Sequence, residues 1–356
     1  MKRRIIPIFV PHKGCPHDCI FCNQKKITGV STDVTSTDVE NTIREYLKTI
    51  DEDTHIEVAF FGGSFTAIDT NIQKELLSVA KGYFEKGIIK DIRLSTRPDC
   101  IDDEILTMLK EHKVTIIELG VQSLDETVLI DSIRGHSDTD VEYSANLIKK
   151  YGFKLGLQMM IGLPSDTEEK SLYTARKFIN LSPDFVRIYP TLVVRDTGLE
   201  ILLKNNKYKP LNIEQTIDLA KKLLVLFYIN KINVIRVGLQ PTEDIRLGKE
   251  VIEGPYHPAL RELIESRMYR DYLETIINQN NACKNIIIKL NKKNISKIIG
   301  NKKSNNLYLK EKYNVTLKTL ESDFTLDQLE IIVDDRKSIL LTVDFIYKEL
   351  FSMYNL

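Results

Sequence analysis

Residues 3–22 read RRIIPIFVPHKGCPHDCIFC, and the order of their parts decides the fold. The apolar run at 5–10 has the length and composition of a strand. It leads directly into a loop carrying Cys15, Cys19 and Cys22. Five more strand-like runs follow at 57–61, 92–95, 115–121, 154–161 and 185–189, and helical patterns separate them. The first helix places Val39, Ile43, Leu47 and Ile50 on one face, behind a Thr37-x-x-Glu40 capping box. Further helical stretches fall near 72–84, 103–111, 138–151 and 168–180. Six alternating units predict an α/β fold with a parallel sheet and helices outside it. Eight such units close a barrel with its site at the carboxyl ends of the strands. Six leave a partial (β/α)6 barrel, open enough to admit a large substrate. A doubly wound open sheet is the competing architecture, and no G-x-G-x-x-G follows the first strand to support it.

Three residues separate the first two cysteines and two separate the last pair. Three thiolates in so short a loop close around one corner of a cubane and leave its fourth iron without a protein ligand. A [4Fe–4S] cluster held wholly by protein takes four cysteines, so the open iron is left for another ligand. Phe21 stands where it can shield one face. A zinc knuckle using His12 or His17 as fourth ligand is the alternative. Zinc sites more often pair two C-x2–4-C hooks far apart, and no second hook occurs. Cys100 and Cys283 read as ordinary reduced thiols.

Polar residues recur where each strand ends. The second closes on Phe60-Phe61-Gly62-Gly63-Ser64-Phe65, and its two glycines let a ligand approach the backbone. The third closes on Leu94-Ser95-Thr96-Arg97-Pro98-Asp99, the fourth on Leu119-Gly120-Val121-Gln122-Ser123, with Arg134-Gly135-His136 a short helix later. Gln158 interrupts the apolar fifth strand, where a satisfied core amide is the plain alternative. Arg187 and Tyr189 lie on the sixth. Tyr189 is the candidate catalytic relay for a radical or a proton, against an ordinary half-buried tyrosine.

These runs together resemble a known family. GGSF, STRPD, ELGVQS, IRGH, MMIGLP and RIYPTLVVRDTGL, in this order, are similar to the radical S-adenosylmethionine (SAM) domain of the Elongator catalytic subunit and its bacterial relatives, over the first 240 or so residues. The resemblance implies one [4Fe–4S] cluster on Cys15, Cys19 and Cys22, with SAM completing the open iron. It implies backbone contacts from Gly62 and Gly63 to the methionine amine, and Arg134 paired with the SAM carboxylate. Ser95, Gln122 and Gln158 would line the methionyl and ribose side, and Met160 would lie near the adenine. The implied chemistry is a 5′-deoxyadenosyl radical that takes hydrogen from an unactivated C–H, with the cofactor performing the difficult step. An external donor such as flavodoxin or ferredoxin would supply the electron. Nothing in the chain resembles the family's acetyltransferase domain, so acetyl transfer is not carried over.

Lys+Arg and Asp+Glu number 50 each, so whole-chain charge points to no partner. The balance conceals segregation: residues 284–318 hold ten lysines and one acid, a net +9 that leaves −9 for the rest. In the same stretch, a strand at 286–290, helices at 293–299 and 306–313, and strands at 315–320 and 329–333 resemble the order of a KH-type nucleic-acid module. That module clamps about four nucleotides with a GXXG loop. Here the loop is Gly300-Asn301-Lys302-Lys303, with lysine replacing the second glycine. Lys293, Lys297, Gly300, Lys302 and Lys303 are the candidate RNA contacts, against a simple solvated lysine face. The expected division is a barrel over 1–240, a helical connector over 241–282, a KH-like domain over 283–335, and a closing helix over 336–356 that presents Ile339, Val343, Ile346 and Leu350.

No secretory signal or 18-residue apolar span is present. An oxygen-sensitive cluster suits the reducing cytoplasm, so no membrane partner is expected. The function expected is RNA modification, with transfer RNA as substrate. Two alternatives stand beside it: oxidation of a small metabolite in the manner of coproporphyrinogen oxidase, and RNA binding with a structural or regulatory cluster. A methylthiotransferase would need a second cysteine triad.

Overall fold

The computed structural model describes residues 2–10, 15, 18–23, 34–51, 53–239, 246–280, 283–335 and 337–356. It divides into two compact units, residues 1–211 with 239–256, and residues 212–238 with 257–356.

The first unit is the expected series. Strands β1 (Arg3–Val10), β2 (His55–Gly62), β3 (Asp91–Thr96), β4 (Ile116–Gln122), β5 (Lys154–Ile161) and β6 (Phe185–Pro190) lie side by side in sequence order. Each pairs in parallel with the next. The crossovers carry α1 (Ser36–Leu47), α2 (Thr70–Glu85), α3 (Asp103–Glu111), α4 (Glu126–Asp131), α5 (Asp138–Lys150) and α6 (Glu168–Leu181). The capping box of α1 lies two residues earlier than the sequence suggested. Thr35 and Asp38 cap each other reciprocally, while Glu40 instead accepts from Tyr83 Oη at 2.9 Å and Arg44 Nε at 2.6 Å.

Alternation along the strands separates two faces. One set packs apolar side chains such as Ile6, Ile8, Val58, Phe60, Ile92, Leu94, Ile117, Leu119, Leu155, Leu157, Val186 and Ile188, all buried. The other set is polar: Arg3, Glu57, Arg93, Ser95, Glu118, Gln158 and Arg187 occupy the same side. That polar face is concave. A flat sheet would hold β2 and β6 about 19 Å apart at the usual strand spacing. Yet the Arg187 guanidinium of β6 lies 5.5 Å from the Phe61 ring centre of β2, and Arg93 of β3 lies 4.8 Å from that of Phe185 on β6. The sheet therefore curls around a lumen, as a partial barrel does.

The second unit has its own sheet, ordered Thr316–Glu321, Asn285–Leu290, Gln328–Val333, Lys337–Thr342. The first pair is parallel and the other two antiparallel. Ile286, Ile288, Leu317, Ile331 and Val333 of the sheet and Ile298, Leu309, Ile346 and Leu350 of the helices are buried.

Two expected boundaries move. Helix Ile213–Ile229 buries Ile217, Leu219, Leu223, Leu224, Val225, Leu226 and Phe227. So apolar a helix needs cover on several sides, and Leu260–Gln279 and Val343–Met353 supply it. The boundary expected at 240 consequently falls near 211, and Leu260–Gln279 is part of this unit rather than a connector. Residues 337–342 form a strand instead of the start of the closing helix, which begins at Val343 behind the Thr342 cap. Ile339 thus pairs with Ile331 across the sheet, while Ile346 and Leu350 keep the expected helical face.

Candidate active site

The described residues of the cysteine loop are held by backbone contacts. Cys22 N–H donates to the Cys19 carbonyl at 2.9 Å, making a tight turn, and Ile20 N–H donates to Ser132 O at 3.1 Å. Leu199 N–H donates to Ile20 O at 2.9 Å. Gly198 permits this approach, since a Cβ there would stand 2.5 Å from Ile20 Cγ1. Cys15 Sγ lies 3.3 Å from Ser64 Oγ, at the end of β2.

Two guanidiniums face the middle cysteine. Arg134 Nη1 donates to Cys19 Sγ at 3.3 Å, and Arg97 Nη1 lies 3.8 Å from the same sulfur. Both arginines are buried. Arg97 is itself held by Asp99 at 2.8 and 3.0 Å and by the Arg134 carbonyl at 2.6 Å. Burial pulls its pKa down, but Asp99, Cys19 and Cys15 more than offset that and keep the cation. For Cys100, burial and then Asp99 push the thiol up to about 11, so it stays neutral. His136 is pushed down to about 4 by burial and by Arg134, which leaves a neutral ring bonded to Val121 O at 3.0 Å.

The residues expected at SAM gather around the same strand ends. Gly62 adopts φ +115°, and a Cβ there would strike the Val10 carbonyl oxygen at 2.3 Å. Gly63 donates its N–H to that same carbonyl at 3.2 Å. Gln122 holds a left-handed φ of +73°. Gly120 leaves room where a Cβ would meet Gln122 Nε2 at 3.2 Å and Arg134 Nη2 at 3.3 Å. Arg134 also donates to the Gly120 carbonyl. Arg134 Nε and Gln122 Oε1 are nonetheless buried without a hydrogen-bond partner. An orphaned donor and an orphaned acceptor side by side suit a zwitterionic ligand. That pair, with the Cys19 sulfur 3.3 Å from Arg134 Nη1, is the fit for the cluster and SAM. Among the described residues no three His, Cys, Asp or Glu side chains are drawn together closely enough to hold an ion. Metal binding usually completes such a site rather than entering a finished one. His12 and His17, the zinc alternative's fourth ligands, lie outside the described residues.

Arg134 follows a strained turn. Ile133 is β-branched, 53% exposed, and adopts φ +52°, a region that asparagine and glycine enter at lower cost. Ile133→Asn is expected to stabilise the protein by about 1 kcal/mol, seen as a higher denaturant midpoint at unchanged slope. An unchanged or lower midpoint would show the turn to be unstrained.

Deeper in the lumen the structure joins Glu118, Glu57, Arg93 and Arg3 to the polar residues at the strand ends. Glu118 is 0% exposed and accepts from Arg93 Nη1, Arg187 Nη2 at 2.9 Å and Gln158 Nε2 at 2.7 Å, with Arg187 Nε an ion-pair contact at 2.8 Å. Arg93 also pairs with buried Glu57, which accepts from Arg3 at 2.6 Å. Gln158 reaches Ser95 Oγ at 3.4 Å, while Met160 and Tyr189 are partly buried on the same face. Each strand's lone charge was the available signal, since buried charges must be paired. Burial raises the Glu118 pKa, but Arg187, Arg93 and the Gln158 bond more than reverse this and hold it below 4.5. A carboxylate lowered on folding contributes stability that is present above its unfolded pKa and lost as pH falls through the folded one. Acid titration is therefore expected to cost wild type more stability below pH 4.5 than it costs Glu118→Gln. Parallel stability curves would contradict this.

In the second unit, Lys302 and Lys303 are exposed at φ +52° and +63°. Gly300 is buried at φ +80°, where a Cβ would meet Ser304 Oγ at 2.4 Å. Asn305 pins the following helix by donating to Ser266 O and Ile298 O, both at 2.9 Å. Lys293 is exposed. Lys297 is tied to Glu265 at 2.8 Å, which subtracts from its availability to a polyanion.

Residues 9–178 match the family model described as the radical SAM superfamily, and residues 183–270 match the radical SAM C-terminal domain. Human Elongator complex protein 3 is 35% identical over 191 residues, 52% of this chain and 34% of its own length. The zebrafish (Danio rerio) protein of the same name is 32% identical over 234 residues, 60% of this chain and 41% of its length. The chain thus spans well under half of those relatives. An archaeal Elp3 structure from Methanocaldococcus infernus, carrying an N-terminal deletion, superposes with a TM-score of 0.59 at 19% identity, over 94% of this chain and 74% of that one.

Proposed function

From the premise that this chain belongs to the radical SAM superfamily, whose cofactors are a [4Fe–4S] cluster and SAM, we propose that it is an enzyme of RNA modification with transfer RNA as substrate. When bound, the reduced cluster and SAM supply a 5′-deoxyadenosyl radical able to abstract hydrogen from carbon. Cys15, Cys19 and Cys22 would hold the cluster, with Arg97 and Arg134 stabilising the Cys19 sulfur. Arg134 Nε and Gln122 Oε1 would receive the carboxylate and amine end of SAM, beside the Gly62 and Gly63 backbone. Ser95, Gln158 and Met160 line the wall between that end and Tyr189. The polar lumen holds these side chains still, and its open side leaves room for a base.

The observation that carries the RNA reading is the exposed Lys302-Lys303 pair on a glycine turn pinned by Asn305, in the segment of +9 charge. That arrangement suits a phosphate backbone, in the manner of a KH module, and Elongator-related ancestry accords with it. The group transferred, and with it the choice between transferase and oxidoreductase, is left to the chemistry of the product. A low-potential donor such as flavodoxin or ferredoxin would reduce the cluster, in a reducing compartment such as the cytoplasm. Among the described residues no helix is long and apolar enough to cross a membrane.

Mass analysis of nucleosides from transfer RNA, incubated anaerobically with the reconstituted enzyme, SAM and reductant, tests this. A nucleoside of new mass that requires all components is the expected result. An unchanged nucleoside profile alongside turnover of a porphyrinogen or another small metabolite would overturn it.

A further inference from the structure

Helix Leu260–Gln279 carries three arginines, and two of them are already neutralised. Arg261 donates to Glu265 at 2.8 Å, and Arg267 pairs with Glu214 and with Asp218 at 3.3 Å. Arg270 has no such partner. Among the described residues it makes no hydrogen bond or ion pair, and its Nε is buried without an acceptor. What holds it is a ring: the guanidinium carbon lies 4.1 Å from the centre of Tyr308. An aromatic face attracts a cation but leaves its N–H donors unmet. The neighbouring acids are committed elsewhere. Glu274, one turn further on, accepts from Tyr308 Oη and Lys312 Nζ at 2.8 Å and from Tyr313 Oη at 2.9 Å. Asp271 is taken by Lys221 at 2.9 Å and Tyr354 Oη at 2.8 Å. Glu274 thus fixes Tyr308 beneath the guanidinium without neutralising it.

The place of this pair in the unit gives it meaning. Ser266, one turn before Arg270, touches the glycine turn: a Cβ on Gly300 would lie 2.9 Å from its Oγ. Asn305 also donates to the Ser266 carbonyl at 2.9 Å. Tyr308 follows Ser304 by one turn in helix Ser304–Tyr313. Arg270 and Tyr308 therefore meet one helical turn, about 6 Å, beyond Gly300-Asn301-Lys302-Lys303. Arg270 is partly exposed.

We propose that Arg270 is a phosphate-binding residue of the RNA interface, adding a contact beside the lysine turn, with Tyr308 holding its plane. The proposal rests on the RNA reading, since its ligand is a phosphodiester of the strand that Lys302 and Lys303 meet. A planar fork donates two N–H bonds to one phosphate, which a lysine ammonium does not reproduce. Such a contact positions the strand without reading its bases. An arginine present only to pack on Tyr308 would contribute nothing to RNA affinity.

Filter binding of bulk transfer RNA to the full chain across a salt series tests this. Arg270→Met keeps an unbranched stem on the ring and is expected to bind about three- to tenfold more weakly, with the salt slope reduced by about one charge's worth. Arg270→Lys keeps the charge and loses the fork, so a smaller loss at unchanged slope is expected. Wild-type affinity in Arg270→Met, in a series where Lys302→Glu with Lys303→Glu weakens binding, overturns the proposal alone. Weaker binding at unchanged slope in Arg270→Met marks a structural role and also overturns it. Should Arg270→Met fail to fold, Arg270→Lys decides: weaker binding at the wild-type slope supports the proposal, and wild-type affinity overturns it. A wild type that binds no transfer RNA removes the RNA reading and this contact with it.

Discussion

Cys19→Ala is expected to abolish cluster loading and SAM cleavage together while leaving RNA affinity unchanged. Cys19 is the buried middle member of the triplet and the sulfur that both Arg97 and Arg134 face. Two remaining thiolates cannot hold three irons, so the loss should be complete rather than graded. Iron and sulfide content after anaerobic reconstitution and 5′-deoxyadenosine release measure it. Cys283→Ala, in the second unit, is the matched control and should load and turn over normally. Turnover by Cys19→Ala at the wild-type rate would remove the cluster assignment, and so the whole chemical reading.

Lys302→Glu combined with Lys303→Glu should weaken transfer RNA binding by about tenfold or more and flatten its salt dependence by about two charges' worth. Both side chains are exposed and without an ion pair among the described residues. Both follow a glycine whose conformation no other residue enters easily. Cluster loading should be untouched, because the cysteine loop belongs to the other unit. Lys297→Glu should have a smaller effect, since Glu265 already neutralises that lysine. Filter binding across a salt series reads both. Unchanged affinity in the double variant would place the RNA site elsewhere or nowhere.

Much of the fold is legible in the sequence because periodicity records burial. All six barrel strands lie within about two residues of their expected positions. The wall of each strand that faces the helices is apolar, and a run of apolar residues is easily read. The polar wall is harder. Glu57, Arg93, Glu118 and Arg187 each resemble a stray surface charge on their own strand, and only the curl of the sheet reveals them as one network. No local pattern encodes that curl. The strand at Lys337–Thr342 hides for a related reason: Ile339, Val343 and Ile346 fit a helical period until Thr342 is recognised as a cap. The cysteine loop, by contrast, can be proposed from sequence alone because its chemistry depends on spacing. The orphaned Arg134 Nε and Gln122 Oε1 need coordinates, since they are defined by what fails to reach them.

Release of 5′-deoxyadenosine from SAM by the anaerobically reconstituted, dithionite-reduced enzyme, with and without bulk transfer RNA, tests the central claim most directly. Cleavage that rises sharply on adding transfer RNA is the predicted result. No cleavage by a protein with a verified intact cluster, whether or not RNA is present, would contradict it.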